Sequence, residues 1–158
     1  MRAATARRFL LALMLASPVA LAACGSSPPP PAVLELAVQG SAEQNPSPSG
    51  TAEPVAVHLY QLASTAKFER ADVFALVERE AATLGQDVLA SEEFVLSPSE
   101  KQTIKRELKK GTQSLGVVVL FRDIDHAKWR ATAPVAASGP TKLALTIGRL
   151  SVDLGPVK

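Results

Sequence analysis

The sequence predicts a mainly β protein, a two-layer sandwich of about eight short strands carrying one small helical insertion. Apolar residues alternate with period two over most of the chain beyond residue 32, and runs of Gly, Pro, Asn and Ser separate these stretches. Helical spacing occurs in a single interval, 67–84.

The elements follow in order once the opening segment is set aside. Arg2, Arg7 and Arg8 precede an apolar stretch, 9–23, which Ser17 and Pro18 interrupt and which falls short of the ~20 residues a spanning helix needs. Residues 1–23 therefore read as a signal peptide. Leu21-Ala22-Ala23-Cys24 matches a bacterial lipobox, and Cys24 is the only cysteine. The expectation is lipidation at Cys24, which leaves no thiol and no disulfide within the chain. Gly25 stands where an Asp would retain such a protein in the inner membrane, so delivery to the outer membrane is expected, with the domain facing the periplasm. Residues 24–32 form a Pro-rich tether. At ~3.1 Å per residue in polyproline II geometry, residues 24–31 reach roughly 25 Å.

The folded domain is expected over 33–158. Leu34, Leu36 and Val38 alternate with Glu35, Ala37 and Gln39 as a half-buried strand. Residues 40–54 form a long polar loop marked by Asn45-Pro46, Ser47-Pro48 and Ser49-Gly50. Residues 55–62 are apolar on both faces, the pattern of a strand in mid-sheet. Over 67–84, Val73, Leu76, Val77 and Ala81 recur at helical spacing with Phe74 beside them; Asp72 is placed to cap the start and Gly85 to end it. One helix, or one broken in two, is expected. Further strands are expected over 88–96, 103–109, 115–122 and 129–135. Leu143, Leu145 and Ile147 are odd-numbered whereas Leu150, Val152 and Leu154 are even-numbered. A two-residue turn at Gly148-Arg149 puts all six on one face, pairing Ile147 with Leu150, Leu145 with Val152 and Leu143 with Leu154. A bulge at Gly148 is the alternative.

Composition and motifs restrict function more than they reveal it. The whole chain has 17 basic and 15 acidic residues, and loss of the three leader arginines leaves 14 against 15. That balance offers nucleic acid no general attraction. The basic concentration Lys101, Lys105, Arg106, Lys109 and Lys110 lacks interleaved aromatics and reads as an edge strand blunted by lysines. His58 and His126 are the only histidines, so neither a metal site nor any cofactor is expected. Asp123, Asp125 and His126 are the nearest approach to a catalytic constellation, and the expectation is a turn whose Asp side chains satisfy backbone N–H groups. His58 is expected to be a hydrogen-bonded strand residue. There is no nucleophile elbow, P-loop or dinucleotide-binding fingerprint, and the chain is expected not to be an enzyme and to have no small-molecule substrate.

The lipobox, the Asn45-Pro46 loop ahead of Pro54-Val55-Ala56-Val57-His58-Leu59-Tyr60-Gln61-Leu62, the segment from Phe68 through Leu76, Leu84-Gly85, Leu115 through Asp123, and Trp129-Arg130 follow one another in an order that resembles TssJ. This is the outer-membrane lipoprotein family of the bacterial type VI secretion system. The resemblance covers nearly all of the mature chain. It implies a transthyretin-like sandwich, and a role in a membrane complex in which the lipoprotein holds the periplasmic part of an inner-membrane protein, TssM. It also implies that the loop between the first two strands takes part in the contact. In this sequence that loop is 40–54, and Gln44, Asn45, Pro46, Ser47, Pro48 and Ser49 are the expected partner-binding residues. The loop is expected to add little to the fold. A lipoprotein carrier for a small apolar ligand is the competing reading, and it requires an empty space between the sheets.

Overall fold

The structure, a computed structural model, describes residues 28–157. The signal peptide expected over 1–23 and the lipidation site Cys24 lie outside the described residues. Residues 28–31, the end of the expected tether, are exposed and irregular. The first strand begins at Ala32, the last residue assigned to the tether.

Eight strands form two four-stranded sheets. The first sheet has the order β4-β1-β7-β8, built from β4 (Lys101–Glu107), β1 (Ala32–Gly40), β7 (Gly139–Ile147) and β8 (Val152–Pro156). The second has the order β3-β2-β5-β6, built from β3 (Val88–Leu96), β2 (Val55–Leu62), β5 (Ser114–Leu120) and β6 (Arg130–Pro134). All neighbours pair antiparallel except β1 and β7, which run parallel. Strand β7 starts at Gly139, ahead of its apolar alternation, because 139–142 pairs with the first residues of β1.

Period-two patterning drives the assembly. Leu34, Leu36 and Val38 of β1 face Val57, Leu59, Val117 and Val119 of the second sheet, with Leu145, Ile147 and Val152 completing the core between the layers. These side chains fill the middle of the space between the sheets, and an open groove of about 250 Å³ at the β3 and β4 edge reaches Leu34, Leu59 and Leu115. The mid-sheet strands β2 and β5 are apolar on both faces for a specific reason. Their other face supports a second core of Tyr60, Leu62, Phe68, Val73, Leu76, Leu84 and Val118 beneath the helical insertion. Tyr60 is fully buried there, and its hydroxyl donates to the Leu76 carbonyl at 3.2 Å. Burial, the larger effect, together with the charges of Glu80 and Glu93, pushes its phenol far above the ordinary range. Phe68 lies over Gly116: a Cβ at that glycine would sit 2.9 Å from the ring and 2.8 Å from Leu62 Cδ1, so only glycine admits the close approach.

The insertion comprises three short helices where one or two were expected: α1 (Ala66–Arg70), α2 (Val73–Glu78) and α3 (Glu80–Leu84). Extended backbone at Ala71 and Asp72 ends the first, and Arg79, at φ −130° and ψ 34°, separates the other two. Asp72 does cap α2, accepting from the Ala75 N–H at 2.8 Å, and Gly85 follows α3 with φ +57°. The insertion is clamped by Arg130, whose Nη1 donates to the carbonyls of Phe68 at 3.0 Å and Ala71 at 2.8 Å.

The terminal hairpin forms, but with a different register. Ile147 pairs with Val152 and Leu145 with Leu154, joined by the four-residue link 148–151 in place of the expected two-residue turn at Gly148-Arg149. Gly148 N–H donates to the Ser151 carbonyl at 2.8 Å to close the link. The carbonyls of Arg149 and Leu150 are taken by other loops and so are not available to a β ladder. A shift of two preserves parity, and Leu150 and Leu154 still pack against the inter-sheet core.

Register defines two poles. Ala32 lies beside Gly139, and the β4 end at Glu107 lies next to it; this is the tether pole. At the other end of β1, Gly40 lies beside Ile147, and here the loops 40–54, 121–129 and 148–151 meet. The basic strand β4 is an edge strand, with Lys101 and Lys105 exposed as expected.

Candidate functional site

The loop pole is held together by residues 44 and 45. Gln44 is fully buried, and its Nε2 donates to the Leu96 carbonyl at 2.8 Å. Its carboxamide occupies the space that a Cβ at Gly40 would fill: such an atom would lie 2.2 Å from Gln44 Oε1. That oxygen has no protein hydrogen-bond partner. Asn45 is 6% exposed and adopts φ +44°, a left-handed conformation that asparagine tolerates better than most residues. Its Nδ2 donates to the Pro54 carbonyl at 2.8 Å, and its Oδ1 accepts from the Arg122 N–H at 2.7 Å. Its own N–H donates to the Arg149 carbonyl at 2.9 Å. One residue thereby ties three loops together.

These contacts correct two expectations. Gln44 and Asn45 spend their side-chain hydrogen bonds inside the protein, so they are not free to offer them at the surface. The loop 40–54 is also part of the scaffold. Its tip projects as a small hairpin in which Pro46 bridges Ala52, Ser47 N–H donates to the Thr51 carbonyl at 2.8 Å, and Gly50 turns with φ +84°. Pro46 and Ser47 are half-buried, whereas Pro48 and Ser49 are exposed.

The tip forms one wall of an open groove of about 260 Å³, opposite Arg122 and Asp123 and above Arg149 and Leu150. Arg122 pairs with Glu53, which holds the guanidinium against the base of the loop. On its other side Arg122 borders a second groove, of about 330 Å³, lined by Phe74, Val77, Leu120 and Ile124. Phe74 is 61% exposed, unusual for so large an apolar side chain. The sequence placed Phe74 beside the buried helical stripe, which is the signal that could have found it. Nothing in the sequence joined Arg122, Arg149 and Leu150 to the loop tip.

The acidic turn lies at this pole as well. His126 Nδ1 and Asp123 Oδ1 are 2.7 Å apart, and both side chains are exposed. The hydrogen bond and negative charge of Asp123 hold the imidazole above its ordinary value. His58 is in another place, on the helix side of β2, stacked with Tyr60 and 3.6 Å from Glu93. The structure therefore does not assemble His58 with Asp123, Asp125 and His126. Among the described residues no cluster of three His, Cys, Asp or Glu side chains is placed to hold a metal ion.

Comparison with known proteins decides the family. A family profile described as type VI secretion lipoprotein, which includes VasD, EvfM and TssJ, matches residues 32–150. The chain belongs to this family. The crystal structure of the T6SS lipoprotein TssJ1 from Pseudomonas aeruginosa is similar, with 34% identity and a TM-score of 0.79 over 82% of this chain and 98% of that one. Serratia marcescens Lip, a membrane-bound component of the type VI secretion system, shares the fold at 22% identity and a TM-score of 0.72, over 81% and 97% of the two chains. A chain in the structure of the T6SS protein TssM C-terminal domain from EAEC shares it at 24% identity and a TM-score of 0.68, over 80% and 99%. A comparison with curated protein sequences gave no match.

Asn45→Ala removes two hydrogen bonds and places an alanine at positive φ, so a loss of about 2–3 kcal/mol in chemical denaturation is expected. Ser49→Ala at the exposed tip should change stability by no more than about 0.5 kcal/mol.

Proposed function

We propose that the chain is an outer-membrane-anchored lipoprotein of the type VI secretion membrane complex, and that its loop pole binds the periplasmic part of the inner-membrane component TssM. The observation that carries this reading is the placement of a hydrogen-bonded, three-loop surface at the end of β1 opposite the tether. A lipid on Cys24 holds one pole, and the other lies at the far end of the same strands. At ~3.3 Å per residue, nine-residue β1 alone separates the two by about 25–30 Å.

Membership in a lipoprotein family supports the anchor, and Gly25 after Cys24 supports outer-membrane delivery. A chain of this fold in a TssM C-terminal-domain structure supports the choice of partner. The physical character of the pole supports binding. Backbone already fixed by Gln44 and Asn45 loses little conformational entropy on docking, and the exposed Pro48 and Phe74 offer apolar contact around the Arg122 guanidinium. The contact then runs through Pro46, Ser47, Pro48 and Ser49 at the tip, with Gln44 and Asn45 acting as the frame that presents them.

Cys24→Ser should release the protein from the outer-membrane fraction; continued fractionation with that membrane would remove the anchor from the proposal. Several acyl chains hold stably where one holds marginally, which makes the change close to all-or-none. Replacing residues 46–50 with a Gly/Ser segment of equal length, with Gln44 and Asn45 retained, should leave the melting temperature nearly unchanged. Affinity for the TssM periplasmic region, measured by calorimetric titration, should fall about tenfold or more. Unchanged affinity would exclude the tip from the interface.

A further inference from the structure

The basic concentration noted in the sequence divides in two in the fold. Lys101 and Lys105 lie along the exposed edge strand, whereas Lys109 and Lys110 sit in the turn between β4 and β5, at the tether pole. This turn is fixed to the point where the tether enters: Leu108 N–H donates to the Ala32 carbonyl at 2.8 Å, and Leu108 is buried. Lys109 N–H donates to Gln61 Oε1 at 2.8 Å. Buried Thr112 locks the turn from below, its Oγ1 donating to the Lys109 carbonyl at 2.7 Å, and Gly111 turns with φ +95°. Both lysine side chains are exposed, and no carboxylate of the described residues lies within ion-pair distance of either. Lys67, Lys105 and Lys128, by contrast, are each paired with an acid. The opposite pole exposes charges of both signs, Glu43, Asp123 and Asp125 beside Arg122, Lys128 and Arg149, and Glu107 is exposed at the tether pole.

We propose that the Lys109–Lys110 turn docks on the anionic phospholipid headgroups of the leaflet that holds the Cys24 anchor. Docking stands the domain on its tether pole with the loop pole outward. The inference rests on the lipid anchor of the proposed function and adds a second contact to it. A lipid on Cys24 keeps the tether entry at Ala32 near the surface but does not by itself fix which face of the domain turns toward it. Screening confines an electrostatic contact to within about 8 Å at physiological salt, so the charges beside the tether entry, which stay nearest the surface, act most. The pinned turn places two there on an already ordered backbone. A basic residue near an anionic surface contributes about fivefold to the docked population, so two contribute about 25-fold. That is too little to hold a soluble protein on a membrane, but enough to orient one already tethered.

The test uses the full lipidated protein, carrying Ser138→Cys for a fluorophore at the tether pole and reconstituted into vesicles whose headgroups carry an energy-transfer acceptor. On vesicles containing phosphatidylglycerol the fluorophore should lie closer to the headgroups than on phosphatidylcholine alone. High salt should abolish the difference, as should Lys109→Glu with Lys110→Glu. The pair Arg79→Glu and Lys101→Glu, an equal change of net charge away from the turn, should leave it intact. Flotation of every sample with its vesicles reports the anchor separately. With flotation intact, a height that ignores lipid charge, or that responds equally to both pairs of substitutions, overturns the docking surface and leaves the anchor standing. Loss of flotation overturns the anchor, and the docking surface with it.

Discussion

The loop pole is centred on the carboxamide of Asn45. It accepts from the Arg122 N–H and donates to the Pro54 carbonyl, while its backbone N–H reaches Arg149. Lys128 also bridges Ser151 and Arg122 also pairs with Glu53, and Asn45 adds the residue that reaches all three connections, which lowers the conformational entropy each would otherwise keep. Gln44 drives the same frame inward, its amide satisfied by Leu96 and its oxygen held in the space left by Gly40.

A rigid frame gives the fold a direction. The parallel pair β1 and β7 makes the residues next to the tether and the residues next to the loops opposite ends of the same two strands. A single sandwich thereby has two distinct ends, the tether entry at one and the joined loops at the other. The helical insertion lies alongside this axis and covers the outer face of the second sheet, and only Phe74, near Arg122, presents a large apolar group from it. Most of the insertion is scaffold, and one corner of it extends the exposed surface of the loop pole.

Much of this was legible in the sequence, and what was not has physical causes. Alternation in β1 and the double-sided apolar runs of β2 and β5 identified the strands, because burial on one or two faces leaves a direct trace at period two. The switch of parity after Ile147 gave the hairpin and its common face. It could not give the length of the link, since registers two residues apart bury the same side chains. What separates them is the demand of Asn45 and Lys128 for the Arg149 and Leu150 carbonyls, a long-range contact with no local signature. The same blindness misplaced Gln44 and Asn45. Polar residues in a Pro-rich loop look like surface, and only the tertiary hydrogen bonds reveal that these two point inward. Lys109 and Lys110 were visible as charge from the start, yet their place beside the tether follows only from the register of β4 on β1.

Hydrogen exchange of the free protein, read at single amides, tests most directly whether the loop pole is a frame built around Asn45. The Arg122 and Asn45 amides should exchange on the timescale of core strand amides such as Val117, because both are hydrogen bonded within a cooperative unit. Ser49, at the tip, should exchange rapidly. Fast exchange at Arg122 and Asn45, at the rate of Ser49, would show that the three loops move independently and would contradict a prebuilt binding surface.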